Sequence, residues 1–289
     1  VRNQYLKGIM LMVLSAVMFS AMSVMVKFLS DQSTFLITFM RFITGLIFLM
    51  FLYSIGKIKF NPKNLPWLFV RGVFGALAVM LLYLGITKIG LGKGTMLNYT
   101  YPVFATLFSP ILLKEKNKPI MWIMQGIALI GCYFLLNPKG FFHFAPIDML
   151  VLFGGMCAGI AVNSIKKLTL TDSTYTIFLS FCLFSSIMYV YPAFHHFHSI
   201  PTTSWILLIS VGVLGTVGQL SMTYGYKFTP VNEGSIIAFL VPAFNVILGV
   251  LLFSEKMTFG MVIGSILIIG SCIFTALQNS SGTPSSGGV

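Results

Sequence analysis

Apolar residues along this chain come in runs about twenty long, parted by short polar breaks. The runs fall at roughly 7–29, 34–55, 66–88, 92–113, 119–137, 146–166, 174–194, 203–226, 232–253 and 257–277. A helix rising 1.5 Å per residue needs about 20 mostly apolar residues to cross a hydrocarbon layer about 30 Å thick. The pattern therefore predicts an all-α polytopic membrane protein with ten transmembrane helices and no room for a soluble domain. The first run flows into a full-length span, so it is expected to stay attached rather than be removed as a signal peptide. The closing stretch 279–289, NSSGTPSSGGV, buries nothing, is expected to be disordered, and resembles an expression scar.

Two runs carry an interior proline, Pro102 in 92–113 and Pro242 in 232–253. Such a proline removes one backbone donor and crowds the carbonyl four residues back, here that of Asn98 for Pro102. In hydrocarbon a freed carbonyl is tolerated only where protein, water or a ligand meets it. The two prolines are related by a larger pattern. A step of 140 carries Gly72 to Gly212, Gly75 to Gly215, Gly85 to Gly225 and Gly94 to Gly234. It also carries Pro102 to Pro242, Phe104 to Phe244, Glu115 to Glu255, Lys116 to Lys256 and Lys27 to Lys167. The expectation is two five-helix repeats, 1–140 and 141–278. Five is odd, so the second repeat should enter the membrane inverted. Broken helices at matching places in two inverted halves point to the midplane site of a secondary transporter. The glycines at helical spacing are expected to let helices approach closely.

Composition agrees. The chain of 289 residues is 57% hydrophobic and 8% charged, where a soluble domain carries about 25% charged residues; its mean hydropathy is +0.93. The net charge of +12 would suggest nucleic acid until it is placed on the spans. Twelve cations, Arg2, Lys7, Lys57, Lys59, Lys63, Arg71, Lys114, Lys116, Lys118, Lys166, Lys167 and Lys227, then fall on one side. Five, Lys27, Lys88, Lys93, Lys139 and Lys256, fall on the other. This bias puts both termini in the cytoplasm and makes the lipid bilayer, not nucleic acid, the partner of the charge. Cys132, Cys157, Cys182 and Cys272 all lie in apolar runs and read as reduced packing residues.

The runs RGVFGALAVMLLYLGITKIG (71–90) and GTMLNYTYPVFATLFSPILLKEK (94–116) resemble the first repeat of an EamA-type member of the drug/metabolite transporter superfamily. YGYKFTPVNEGSIIAFLVPAFNVILGVLLFSEK (224–256) resembles the second. The likeness covers about residues 5–278. It implies ten helices in two inverted repeats around a cavity lined mainly by spans 1, 3, 4, 6, 8 and 9. It does not select a substrate, since relatives move amino acids, nucleotide sugars, organic anions, cations and drugs.

A solute site at mid-membrane needs inward-facing polar side chains and aromatics to close it. The candidates are Ser20, Ser23, Tyr83, Asn98, Tyr99, Tyr101, Asn163, Gln219, Tyr224, Ser235 and Asn245. Each alternatively serves as an interhelical hydrogen bond. On an unbroken helix Tyr99 and Tyr101 face different ways, so one ligand should not touch both. Tyr99 and its counterpart Phe239 are candidate gates beside Pro102 and Pro242. Arg41, inside span 2, either anchors an anion in the cavity or snorkels to the outer interface. Of the six acids, Asp31, Glu115, Asp148, Asp172, Glu233 and Glu255, all lie in loops or at span ends. Only Glu233, at the entrance of span 9, is kept as a candidate. The four histidines, His143, His195, His196 and His198, fall on the outer side. No acid or histidine sits mid-span, where a proton relay needs one.

These residues predict alternating-access transport of a small polar organic metabolite, facilitative or by exchange. Aromatics and neutral amides favour an amino acid or similar zwitterion; Arg41 supports an organic anion as the alternative, and a non-transporting sensor is more remote. No acid–histidine cluster calls for an enzyme, a metal or another cofactor, and no phosphate-binding loop for a pump. The short loops suit a cell inner membrane. The sequence names no oligomeric state, and a monomer is compatible with it.

Overall fold

Each apolar run is a helix, or a pair of half-helices, in the computed structural model, which describes residues 2–114, 118–136, 145–197, 200–253 and 259–280. The helices are α1 (Arg2–Phe28), α2 (Thr34–Ser54), α3 (Leu65–Ile89), α4 (Leu91–Asn98), α5 (Tyr101–Leu113) and α6 (Pro119–Leu136). They continue as α7 (Pro146–Leu168), α8 (Thr174–Phe194), α9 (Thr202–Tyr226), α10 (Val231–Ala238), α11 (Leu240–Phe253) and α12 (Phe259–Ser280). Six of them, α1, α2, α3, α7, α8 and α9, are individually long and apolar enough to cross a bilayer. α12 runs to Ser280, two residues into the stretch expected to be disordered. The rest of that tail, and the Glu115–Lys116 and Glu255–Lys256 pairs, lie outside the described residues.

Local chemistry sets the helix ends. At the start of α7 the Asp148 carboxylate accepts from the Ala145 N–H at 2.7 Å, an anion at the positive end of a helix. Ser173 Oγ accepts from Thr176 N–H at 3.1 Å and caps α8. After α9, Lys166 Nζ donates to the carbonyls of Tyr226 and Thr229 at 2.9 and 2.8 Å, which ties α7 to the turn before α10.

The two broken spans break earlier than the prolines themselves. α4 stops at Asn98 and α5 begins at Tyr101, so Pro102 stands in the first turn of the second half-helix. A missing N–H costs nothing there, because first-turn donors have no helical acceptor. The Val103 N–H turns back to Thr100 O at 3.0 Å in place of the lost ladder. Likewise α10 stops at Ala238, α11 starts at Leu240, and Pro242 is its third residue. The interruption thus lies at Tyr99–Thr100 and at Phe239, related by the same step of 140.

Packing follows that step too. It carries α1 to α7, α3 to α9 and α5 to α11. The main pairings α1 on α9 and α3 on α7 exchange under it, as do α5 on α7 and α1 on α11. α2 on α8 and α6 on α12 map onto themselves. Glycines govern the closest approaches. A Cβ on Gly94 would fall on the Gly85 backbone, where α4 crosses α3. Gly72 of α3 receives the Phe184 ring from α8, and Gly212 of α9 receives Thr44 from α2; 44 and 184 again differ by 140. Large apolar side chains such as Ile47, Phe51, Ile111, Ile187 and Leu251 are exposed around the perimeter. That is the surface of a protein solvated by lipid, not water. The four cysteines are buried and unpaired.

Gly94 and Gly126 make a clean comparison, since a Cβ on Gly126 has nothing within 4 Å. Gly94→Ala is expected to cost about 1–3 kcal/mol of overpacking and to lower the melting temperature of the detergent-purified protein. Gly126→Ala should leave it unchanged or slightly higher. Equal melting curves would disprove the close α3–α4 contact.

Candidate functional site

The half-helix breaks meet α1, α3, α7 and α9 around a central cavity of about 90 Å³, room for several waters at the roughly 10–15 Å³ each requires. Its wall includes Met12, Phe19 and Met22 from α1, Ala78 from α3, Asn98, Tyr99 and Tyr101 at the first break, and Gln219 and Met222 from α9. Ala238 and Val241 flank the second break, and Phe181 projects from α8. Two arginines, Arg41 and Arg71, also line it.

Arg41 is only 4% exposed, so it does not snorkel to an interface. Its Nη1 donates to the Tyr83 hydroxyl at 3.1 Å, and that hydroxyl donates to Met22 Sδ at 3.1 Å. The guanidinium lies 5.6, 5.3 and 5.8 Å from the ring centres of Phe19, Phe42 and Tyr83, within cation–π range. Gly215 of α9 makes room for it: a Cβ there would meet Arg41 Nε at 2.8 Å.

Arg71 corrects the charge map. Counted above with the inner loops, it sits inside α3, 3% exposed, with its guanidinium carbon 3.6 Å from the centre of the Phe181 ring. Its Nε has no hydrogen-bond partner. Among the described residues neither arginine meets a carboxylate, and no Asp, Glu or His lines the cavity. The position was legible as a cation seven residues into LPWLFVRGVF, too deep to belong to a loop.

The other candidates divide. Asn98 lines the cavity with its Nδ2 donating weakly to Ala78 O at 3.4 Å, and Gln219 lines it with Nε2 near Thr223 Oγ1 at 3.3 Å. Tyr99 and Tyr101 both line it, their ring centres 5.6 Å apart, against the expectation that one ligand could not touch both. The cause is the break between them, which uncouples their directions. Tyr83 stands behind Arg41 as its support. Phe239 is wholly buried in the core outside the cavity wall, unlike its counterpart Tyr99.

Several candidates serve the backbone instead. Ser20 Oγ donates to Ala16 O at 2.9 Å and Val241 O at 3.2 Å, and Ser23 Oγ to Phe19 O at 2.8 Å. Asn163 Nδ2 donates to Ala105 O and Gly159 O, both at 2.9 Å, and Ser235 Oγ pairs with the Tyr226 hydroxyl at 3.2 Å. Asn245 is buried away from the cavity wall with neither amide atom partnered among the described residues. Tyr224 lies in a separate hollow of about 450 Å³ at the α7–α8 turn, beside Asp172 and Lys227. Asp172 there accepts from the Lys63 N–H at 2.8 Å. Glu233 is buried in the first turn of α10.

One amide escaped the sequence reading. Gln125 of α6 donates to the Pro102 carbonyl at 2.6 Å and to Thr106 Oγ1 at 2.9 Å. A lone glutamine in the apolar run PIMWIMQGIALIGCYFLL was the available signal.

Comparison with known proteins fits this geometry. The profile of the EamA-like transporter family matches residues 6–137 and 145–277. The Pseudopaline exporter CntI of Pseudomonas aeruginosa is 26% identical over 273 residues, covering 92% of this chain and 94% of the relative. An uncharacterized transporter of Helicobacter pylori is 27% identical, covering 96% of each chain. Human solute carrier family 35 member G1 is 25% identical, covering 94% of this chain and 79% of its own. A solved crystal structure superposes with a TM-score of 0.76 at 19% identity, over 96% of this chain and 99% of the other; that likeness concerns the fold alone.

Gln125→Leu removes two buried hydrogen bonds, to the Pro102 carbonyl and the Thr106 hydroxyl, a loss of about 1–3 kcal/mol. The variant is expected to melt several degrees lower than wild type in detergent. Unchanged melting would show that the α6 amide does not brace the start of α5.

Proposed function

Because this chain belongs to the EamA-like transporter family, we propose that it is a secondary transporter carrying a small organic anion through the central cavity by alternating access. The observation behind this reading is Arg41, a permanent cation buried in the cavity wall with no carboxylate facing it among the described residues. An unpaired buried charge is costly, and a substrate carboxylate held by the guanidinium fork offsets the cost during each passage. Asn98, Gln219 and the faces of Tyr99 and Tyr101 supply the polar and aromatic contacts that orient an organic solute.

The matched halves support the rest of the mechanism. Two family matches in one chain, the step of 140 and the exchanged helix pairings support inverted five-helix repeats, which have near-equivalent inward-open and outward-open states. Without Arg71 the inner cations fall from twelve to eleven, still against five, which supports cytoplasmic termini. Short connections and bacterial relatives support a cell inner membrane. A cavity wall without Asp, Glu or His among the described residues supports facilitated diffusion or exchange over proton coupling.

A zwitterionic metabolite is the second reading. Its carboxylate takes the same arginine while its ammonium lies against the aromatic faces of Tyr99 and Tyr101.

Counterflow in proteoliposomes separates the readings. Labelled organic anions are expected to accumulate against an internal unlabelled pool and to do so equally after the pH gradient is dissipated. Arg41→Gln should raise the half-saturating concentration about tenfold to a hundredfold, the worth of a charge-assisted hydrogen bond of about 1.5–3 kcal/mol. Flux of amino acids but not anions would move the assignment to the zwitterion. Absence of flux for every solute class would favour a sensor.

A further inference from the structure

The cavity holds more cation than one carboxylate can answer. Arg71 is 3% exposed, its Nε is unpartnered, and no described residue accepts a hydrogen bond from its guanidinium. Phe181 covers one face of the guanidinium plane at 3.6 Å. Stacking uses the face and leaves the edge, where all five N–H donors point. Arg41 is similarly underused, with one bond, to Tyr83. An arginine buried for structural reasons is normally satisfied by carbonyls or acids. Arg71 has neither among the described residues, yet it borders the same cavity as Arg41.

The seats of the two cations are related. The step of 140 carries Gly75 to Gly215 and Arg41 to Phe181. A Cβ on Gly215 would strike Arg41, and a Cβ on Gly75 would strike both Phe181 and the Arg71 guanidinium. Each half-chain therefore keeps one glycine-floored slot open beside the cavity. Arg41 fills one slot; Phe181 fills the other, and Arg71 lies on its ring. Both slots end in a guanidinium.

We infer that the site is built for a solute with two anionic groups, a dicarboxylate or its equivalent, with one group on Arg41 and the other on Arg71. This deepens the anion reading above and rests on it. Two like charges around so small a space repel each other, a monoanion neutralises one of them, and a dianion neutralises both. The same logic makes Arg71 a burden on the empty protein.

The test is thermal unfolding of the full chain in detergent with malonate, succinate and glutarate, against propionate, butyrate and neutral succinamide. At least one dicarboxylate is expected to raise the melting temperature at a concentration at least tenfold below that needed for the monocarboxylates; succinamide should do nothing. Arg71→Met is expected to raise the melting temperature of the ligand-free protein, because an uncompensated buried charge is removed. It should also abolish the preference for dicarboxylates while monocarboxylates still stabilise through Arg41. Equal response of wild type to mono- and dicarboxylates, with the response lost in Arg41→Gln, would overturn the dianion inference and leave the anion transporter standing. Stabilisation by none of the anions would overturn both. A ligand-free Arg71→Met that melts below wild type would show that Arg71 is structural and overturn the inference. The wild-type comparison decides the matter even if that variant cannot be purified.

Discussion

A backbone carbonyl in hydrocarbon must find a donor, and this single requirement organises the centre of the molecule. Pro102 and Pro242 each remove a donor from a spanning helix, and the helix answers by stopping short of the proline and restarting. At the first break the Leu97 carbonyl is met by the Thr100 N–H and hydroxyl, while Gln125 from α6 and Ser20 from α1 add side-chain donors to the helical carbonyls of Pro102 and Val241. The amide of Asn163 likewise adds a donor to the Ala105 carbonyl within α5. Residues that look like solute contacts from a linear reading are thus partly consumed by the backbone. The side chains left over, chiefly the arginines and Tyr99 beside the break, are those with capacity for a ligand.

The second constraint is charge. Desolvating a guanidinium costs several kcal/mol even after relaxation, and this fold carries two around one cavity without an acid to offset them among the described residues. The aromatic surroundings of Arg41 and the Phe181 ring under Arg71 return part of that cost through cation–π attraction, about 0.5–2 kcal/mol each. They do so without occupying the in-plane donors. An ion pair would have been the cheaper way to bury an arginine, but it would also have silenced it.

How much of this could be read from the chain depends on what each feature requires. Helix positions were legible because a bilayer demands twenty apolar residues in a row; the predicted 34–55 and 174–194 match α2 and α8 to within a residue. The place of each break was not, since a proline marks a missing donor while the geometry of the turn decides which residue before it leaves the helix. The shared facing of Tyr99 and Tyr101 was lost for that reason, because helical periodicity does not extend across the gap. Arg71 is the sixth residue of its predicted span 66–88, so its depth was legible; its direction was not, because a cation near a span end usually snorkels and only packing against Phe181 shows that this one turns inward. Gln125 gave a weak signal, one amide in an apolar run, whose meaning appears only when α6 is placed beside Pro102.

The relation between the halves is informative where it fails. The scaffold positions that set helix approach, Gly72, Gly75, Gly85 and Gly94, all recur at the step of 140. The chemistry does not: Arg41 becomes Phe181, Arg71 becomes Val211, and Tyr99 becomes Phe239. A two-state exchange needs halves that pack alike in either direction, so drift at the glycines would bias the equilibrium. A binding site has no such need. In the proposed cycle a single site serves both states, so its cations can all come from one half. The first half supplies the charge and also the rings around Arg41, Phe19, Phe42 and Tyr83, while the second adds Gly215 beside Arg41 and the Phe181 ring under Arg71. Arg41 is thus held within its own half and only flanked by the other, whereas Arg71 rests on a ring of the opposite half, so a relative movement of the halves would change the seat of Arg71 first.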